Sequence, residues 1–223
     1  MSADDEPTNF LYPFIDAQED DPTSLLADLA ASAQAKAAES LALRRSTVQA
    51  NADLLDRAAT EMARRFTAGG RMFTFGNGGS CTDSTTLTRL FARPPIGKPL
   101  PAWSLTADQA IMTALGNDVG FDLVFARQLI ARARAGDIAI AMSTSGNSPN
   151  LLTALAEARQ RGLYTVGFAG YDGGAFQHNS NVDACFVVRS QSVHRIQESH
   201  ALLGYQLWLG THERIGDQGL GAA

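Results

Sequence analysis

The chain has 223 residues, of which 45% are hydrophobic, with a formal net charge of −5 and a pI near 5.3. These values predict one domain, or one domain with appendages, with enough apolar residues for a substantial core. An acidic chain is a poor direct partner for nucleic acid, because that affinity depends on basic surface.

Residues 1–23 are acidic, contain three prolines and are predicted to form a flexible tail. The opening decapeptide, MSADDEPTNF, has no basic start and no hydrophobic stretch, so no signal peptide is predicted. No apolar run approaches the roughly 18 residues that span a bilayer. Two cysteines, Cys81 and Cys185, provide neither a disulfide framework nor a Cys-x-x-Cys motif. We therefore expect a cytoplasmic protein without a membrane partner.

Two helices are predicted next, over 24–43 and 47–67, because alanine and other apolar residues recur there at helical spacing. Gly69 and Gly70 end the second helix. We expect these two helices to form an N-terminal helical hairpin.

Short apolar strands then alternate with helices. The predicted strands are 71–75, 102–105, 137–142, 164–169 and 184–188, and the predicted helices are 81–92, 108–115, 121–134, 150–161 and 193–213. This alternation is typical of a parallel sheet with helices on both faces, an α/β fold. The domain is predicted to span residues 24–214, followed by a flexible C-terminal tail over 215–223.

Two loops rich in glycine and hydroxyl groups follow predicted strands, GNGGS at 76–80 and STSGNS at 143–148. Open α/β sheets bind ligands at such strand ends, and the start of the next helix offers free N–H groups to an anion. Neither loop has the lysine of a P-loop or the spacing of a dinucleotide fingerprint. Ser, Thr, Asn and Gly also suit ordinary turns and caps. Two such loops at corresponding strand ends favour a phosphate on a small molecule.

Several segments together resemble a sugar isomerase (SIS) domain: FGNGGSCTDS, GND at 116–118, GDIAIAMSTSGNSPNLLTAL, GYDGG at 170–174 and RIQESH at 195–200. The likeness extends over residues 45–213 and is strongest to the phosphoheptose (sedoheptulose 7-phosphate) isomerases and to the DiaA-type initiator-binding relatives. It implies a five-stranded parallel sheet in a flavodoxin-like αβα sandwich. It also implies a homotetramer with sites between subunits.

The resemblance also implies roles for individual residues. Ser143, Thr144, Ser145 and Ser148 would bind the phosphate. Asn77 and Ser80 would line the sugar site, Asp118 would contact sugar hydroxyls, and Gln197 would lie beside the reacting carbons.

The resemblance further implies a zinc site of four ligands: a His and a Glu after GNGGS, the Gln of RIQE, and a His eight positions later. The Glu and the second His would be the acid/base pair. Those positions hold Thr86, Leu90, Gln197 and Tyr205. Leu90 can neither transfer a proton nor bind metal, and Tyr205 is a poor base near neutral pH. One glutamine is too few ligands for zinc, so we predict no zinc cofactor and assign no catalytic residue.

A replacement site remains open. His194, Glu198 and His200 are close in sequence, and Cys81 starts the helix after the first loop. The simpler hypothesis is that Glu198 and His200 belong to the structure of the closing helix and that Tyr205 is a packing residue.

Three hypotheses about function follow. The preferred one is a sugar-phosphate-binding SIS protein without zinc-dependent isomerase activity. The second is an aldose–ketose phosphosugar isomerase with altered catalytic residues, which Leu90 argues against. The third is a DiaA-like protein-interaction scaffold, which the intact STSGNS loop argues against, although the acidic tail favours a protein partner.

Overall fold

The computed structural model describes the backbone of residues 22–220 and the side chains of residues 25–216. The predicted acidic tail therefore lies outside the described residues except for its last two. The chain divides into two compact units, residues 1–41 and 42–223. In the first unit, the described residues are helical and expose several leucines, namely Leu25, Leu26, Leu29 and Leu41.

The helices are α1 (Pro22–Ala50), α2 (Ala52–Thr67), α3 (Gly79–Ala92), α4 (Gln109–Asp118), α5 (Val124–Arg132), α6 (Pro149–Gln160), α7 (Gly174–His178) and α8 (Val193–Leu220), with a 3-10 turn at Phe121–Leu123. The strands are β1 (Met72–Gly76), β2 (Ala102–Ser104), β3 (Ile138–Met142), β4 (Tyr164–Gly170) and β5 (Ala184–Val188). All pairings are parallel, in the order β2-β1-β3-β4-β5. The predicted α/β class and five-stranded parallel sheet are confirmed.

Helices cover both faces of the sheet. Successive residues of a strand point to opposite faces, so Met72 of β1 joins one core cluster and Phe73 joins the other. The first cluster packs the sheet against α2, α3 and α8, with Trp208 fully buried, and the second packs it against α5 and α6. Each fully buried large apolar side chain contributes about 1.5–3 kcal/mol to folding. This two-sided burial explains why β3 is apolar throughout and why the buried Thr74 hydroxyl of β1 is hydrogen-bonded, to Ser84 and Thr88.

Several element boundaries differ from the predictions, and the largest differences are at the two ends of the chain. α1 continues to Ala50, and only Asn51 separates it from α2, with φ −106° and ψ 6°. The two helices at the start of the described chain are therefore joined at a single residue. α8 continues to Leu220, so residues 215–220 of the predicted C-terminal tail are helical. The short helix α7 was not predicted.

No helix in the described part of the chain is both long and apolar enough to cross a membrane.

Candidate functional site

The two glycine-serine loops start side by side. Gly76, the last residue of β1, is paired with Met142, the last residue of β3. The loops that follow are joined by a reciprocal amide pair: Asn77 Nδ2 donates to Asn150 Oδ1 at 2.9 Å, and Asn150 Nδ2 donates to Asn77 Oδ1 at 3.0 Å. Both polar atoms of the Asn77 side chain are therefore hydrogen-bonded to Asn150. Asn77, predicted to line the sugar site, also ties the first loop to α6.

The glycines of the first loop allow close backbone and side-chain approaches. A Cβ at Gly76 would lie 2.6 Å from the Ser80 carbonyl oxygen, and one at Gly79 would lie 2.3 Å from Gln197 Nε2. At Gly76 the obstructing atoms are backbone, so only glycine fits there. Ser80 is buried in the first turn of α3. The first loop therefore brings α8, through Gln197, against the start of α3.

The second loop folds into a tight turn around Ser143. The buried Ser143 Oγ accepts a hydrogen bond from the Gly146 N–H at 3.0 Å, and Ser145 Oγ accepts one from the Asn147 N–H at 3.3 Å. Gly146 has φ +66°, in the left-handed region. Ser148 is the N-cap of α6 but makes no side-chain cap bond. Its hydroxyl is therefore available to a ligand, as are the partly exposed Thr144 and Ser145.

The GYDGG segment supports the second loop from the β4 side. The Gly170 N–H donates to the Thr144 carbonyl at 2.8 Å, and the Ala175 N–H donates to Asn147 Oδ1 at 2.7 Å. A Cβ at Gly146 would lie 2.3 Å from the Gly173 carbonyl oxygen. The turn is thus held on both sides, and its four predicted phosphate ligands lie in one compact segment.

Asp118 is placed differently from the other predicted residues. It ends α4, a helix without buried residues, and is exposed. Its carboxylate accepts a hydrogen bond from Asn117 at 2.7 Å. Within the described residues, no hydrogen bond joins Asp118 to either loop.

The positions compared with zinc ligands do converge. A cavity of about 80 Å³ lies between α3 and α8; we call it the α3–α8 cavity. Its lining residues are Asp83, Thr86, Leu87, Leu90, Met142, His200, Ala201, Gly204 and Tyr205. Gln197 reaches its edge by donating from Nε2 to Asp83 Oδ2 at 2.9 Å. Asp83 was not singled out from the sequence, although it shares a helix face with Thr86, Leu87 and Leu90.

Two titratable groups of this cavity have shifted pKa values. Burial raises the pKa of Asp83, and the hydrogen bond from Gln197 partly offsets this. Burial lowers the pKa of His200 to about 4, partly offset by its bond to Ala169. His200 Nε2 lies 3.1 Å from the Ala169 carbonyl oxygen. A carbonyl oxygen can only accept, so Nε2 carries the proton and Nδ1 is left as an acceptor without a partner.

The side chains at the positions compared with zinc ligands do not form a zinc site. Leu90 has no donor atom, and the Thr86 hydroxyl donates to the Thr82 carbonyl of its own helix at 3.0 Å. Tyr205 is 44% exposed and packs on Trp208 with ring centroids 5.3 Å apart. Zinc sites use several Cys, His or carboxylate ligands. Among the described residues, no group of three or more His, Cys, Asp or Glu could hold a metal ion.

The alternative set of His194, Glu198, His200 and Cys81 is not brought together. Glu198 forms an ion pair with Arg44 at 2.8 Å, and His194 is exposed to solvent. His200 is buried and lines the α3–α8 cavity. The expectation that Glu198 belongs to the framework of α8 agrees with its ion pair, whereas His200 also faces a cavity.

Comparison with known proteins gives consistent matches. The SIS domain family model matches residues 37–170, a range that includes both loops. A phosphoheptose isomerase of Solidesulfovibrio magneticus is 42% identical over 175 residues, which make up 76% of this chain and 82% of that protein.

Two solved structures are similar over nearly their whole length. The phosphoheptose isomerase GmhA from Neisseria gonorrhoeae aligns with a TM-score of 0.76 and 31% identity, over 83% of this chain and 99% of that chain. A phosphoheptose isomerase from Francisella tularensis aligns with a TM-score of 0.77 and 30% identity, over 82% of this chain and 98% of that chain.

Proposed function

We propose that this chain, which belongs to the SIS domain family and is of the phosphoheptose isomerase type, binds a phosphorylated sugar but does not catalyse zinc-dependent aldose–ketose isomerisation. The observation that supports the absence of isomerisation is that Leu90 lines the α3–α8 cavity. An aliphatic side chain stands where a carboxylate acid/base and metal ligand would be needed.

The proposal that the chain binds a phosphate is based on the second loop. Thr144, Ser145 and Ser148 are partly exposed residues that precede the N-terminus of α6. The partial positive charge and unpaired N–H groups of a helix N-terminus favour an anion. Ser143 is buried and shapes the turn through its bond to Gly146. We propose that these four residues bind the phosphate, and that Asn77, Ser80, Asp118 and Gln197 serve the sugar.

The proposed absence of isomerase activity follows from the groups that the reaction requires. Moving a proton between adjacent carbons of an open-chain sugar needs a positioned base and acid and a means of stabilising the enediolate. In the α3–α8 cavity, Leu90 supplies neither, and Thr86 and Tyr205 offer only hydroxyls. We therefore propose that the ligand is bound and not isomerised.

The experiment that tests this proposal pairs binding with turnover. A panel of phosphorylated sugars is screened by thermal shift, and each hit is then assayed for aldose–ketose interconversion with and without added zinc. We expect stabilisation by at least one phosphosugar and no interconversion. Zinc-dependent turnover of a hit would contradict the proposal.

One observation favours a second candidate, an isomerase with altered catalytic residues. Asp83 and His200 are titratable and line the same cavity, and a relative that is 42% identical carries the name phosphoheptose isomerase. Turnover that needs no metal and is lost in an Asp83→Ala variant would establish this candidate instead. The DiaA-like scaffold stays a prediction without a supporting observation of its own.

We also propose a homo-oligomer, with a tetramer as the expected state. The large apolar side chains exposed along α1, such as Leu26 and Leu29, support this proposal. Contiguous exposed apolar surface is typical of interaction sites.

A further inference from the structure

We infer that a second anion site lies at the amino ends of the strands, in a pocket lined by Arg64, Arg65 and Arg134, and that its ligand is a small molecule carrying a diphosphate group. We call this the amino-edge pocket. Residues from the end of α2, from the segment before β3 and from the turn before β4 line it. The inference goes beyond the proposed function and does not depend on it.

The amino-edge pocket lies at the edge of the sheet opposite the two glycine-serine loops. Its lining residues Gly70, Gly136 and Gly162 precede β1, β3 and β4, whereas the two loops follow β1 and β3. At about 3.3 Å per residue, the length of β3 alone separates the two edges by roughly 17 Å. A ligand in this pocket is therefore distinct from one held by the second loop.

The pocket has the size of a small-molecule site and is framed by closely packed backbone. Its volume is about 460 Å³, within the range of roughly 300–1,000 Å³ that is typical of ligand pockets. A Cβ at Gly70 would lie 2.6 Å from the Gly136 carbonyl oxygen and 2.9 Å from that of Arg65. Both obstructing atoms are backbone, so a glycine is required where the chain leaving α2 packs against the segment before β3.

Two of the arginines share one carboxylate. Arg64 and Arg65 donate to Glu61 Oε1 at 2.7 and 2.6 Å. Arg65 also donates to the carbonyl oxygens of Asp137 and Gly162, at 3.1 and 3.2 Å, which holds its side chain in place. A guanidinium has five N–H donors, and neither arginine uses all of them within the protein. Both therefore retain donors for a ligand.

Arg134 adds a guanidinium from a second element. Its backbone N–H donates to Asp137 Oδ2 at 3.0 Å, and the buried Asp137 carboxylate is ion-paired with Arg71 at 2.8 Å. Arg134 is exposed, and its guanidinium has no hydrogen-bond or ion-pair partner within the described part of the chain. The four arginines of this region face two carboxylates, those of Glu61 and Asp137, so two positive charges are left uncompensated.

The C-terminal end of α2 does not cancel this charge. The last carbonyl groups of a helix carry a partial negative charge when they have no partner. Here the carbonyls of residues 64–66 accept hydrogen bonds from the N–H groups of residues 68–70, at distances of 2.8–3.1 Å. The charge that a ligand meets in the pocket is therefore set mainly by the arginines.

This arrangement suits a diphosphate better than a single phosphate. Guanidinium groups bind phosphate oxygens through paired, charge-assisted N–H bonds. Arg64 and Arg134 belong to different elements, so two linked phosphates can each meet a guanidinium, and their charge balances the excess of two positive charges. The volume of the pocket also leaves space for an organic group attached to the diphosphate. We therefore assign the ligand to the class of small diphosphate esters, with pyrophosphate as the probe.

The test is calorimetric titration with pyrophosphate at low ionic strength and without divalent cations. The protein is the full chain carrying Ser143→Ala and Ser145→Ala, because these changes remove hydroxyls of the proposed anion site at the other edge of the sheet. We expect this double-serine variant to bind pyrophosphate at least about tenfold tighter than inorganic phosphate.

Arg134→Gln, made in the same background, tests the assignment to this pocket. The change removes a guanidinium without breaking a side-chain bond in the described part of the chain, so folding should be unaffected. Affinity for pyrophosphate should fall at least about fivefold. The matched control is Arg127→Gln, which removes another exposed arginine, on α5, that does not line the pocket. The control should change the affinity less than about twofold.

The outcomes separate this inference from the proposed function. A folded double-serine variant that does not bind pyrophosphate overturns the inference and leaves the proposed phosphosugar site intact. Equal weakening by Arg134→Gln and Arg127→Gln also overturns it, because that result indicates a general attraction to basic surface. If the double-serine variant does not fold, the two arginine variants are compared in the otherwise unmodified chain, where equal affinities overturn the inference. Failure of every phosphosugar to bind contradicts only the proposed function.

Discussion

Asn77 and Asn150 exchange two amide hydrogen bonds, at 2.9 and 3.0 Å, across 73 positions of sequence. Asn77 is the second residue of the first loop, and the buried Asn150 lies in the first turn of α6, two positions after the second loop. The pair fixes the spacing between the two loops, so it positions both proposed halves of the ligand site.

A double-mutant cycle measures this coupling. Asn77→Ala or Asn150→Ala alone leaves a partly buried amide without its partner, which should cost about 1–3 kcal/mol of unfolding free energy. The double variant should cost clearly less than the sum, because it leaves no orphaned amide. Urea unfolding of the four proteins gives the coupling energy. Strictly additive losses would show that the pair does not act as a unit.

The second loop should be required for ligand binding. In the Ser143→Ala, Ser145→Ala double variant, stabilisation by phosphosugars should be lost, because two hydroxyls of the proposed anion site are removed. Loss of the Ser143 bond to Gly146 should itself cost about 1 kcal/mol, so each thermal shift is compared with the ligand-free variant. The control is Thr153→Ala in α6, the helix that follows the loop, where the Thr153 hydroxyl donates to the Pro149 carbonyl of its own helix. An undiminished shift in the double variant would locate the site elsewhere.

His200 should make stability depend on pH. Burial lowers its pKa to about 4 from the ordinary 6.5. Between these values the unfolded chain binds a proton that the folded chain does not, so stability falls as the pH drops through this window. The full effect is on the order of 3 kcal/mol. In His200→Gln the fall between pH values of about 6.5 and 4.5 should be markedly shallower in urea unfolding. Parallel curves for the two proteins would contradict the burial of a neutral imidazole.

The exposed leucines of α1 predict self-association. Light scattering at micromolar protein should report an oligomer, most simply a tetramer. Replacing Leu26 and Leu29, which are 66% and 57% exposed, with glutamine should shift the population toward smaller species while the sheet domain stays folded by circular dichroism. A monomer in the unmodified protein would refute this expectation.

The sheet and its loops were predictable because each depends on local signals. Apolar runs such as 138–142 predict strands buried on both faces, and the glycines and serines after them predict loops with special backbone angles. The boundary between α1 and α2 was misplaced, since helical spacing continues through Arg45 and the interruption at Asn51 is a single residue.

The α3–α8 cavity could not be predicted in the same way. Asp83 and Gln197 meet across 114 positions through contacts between two helices, and neither local sequence indicates the other. His200 was expected to be structural because the resemblance assigns the catalytic histidine to the position of Tyr205, and the sequence does not show that His200 lines the same cavity. Only the alignment of Thr86, Leu90 and Tyr205 with metal ligands pointed to this region, and these three do line one cavity.

That convergence can be tested by rebuilding a metal site. In the Thr86→His, Leu90→Glu, Tyr205→His triple variant, two imidazoles and a carboxylate would join Gln197 around the cavity, a set of ligands that suits zinc. We expect zinc uptake near one equivalent per chain by metal analysis after dialysis. Isomerase activity demands tighter geometry, held within about 0.5 Å by surrounding residues, so metal uptake is the primary measurement. A triple variant that folds but takes up no zinc would undermine the alignment of these positions.

The central claim is that the unmodified protein holds a phosphosugar without the family's metal-dependent chemistry, and its zinc content is the most direct test. Protein purified from zinc-supplemented cells, without chelators, is analysed by mass spectrometry for metal per chain. Because Leu90, Thr86 and Tyr205 supply no suitable ligand set, we predict a zinc content well below one equivalent, unchanged by adding phosphosugar. Zinc at one equivalent per chain, retained through dialysis, would contradict the claim.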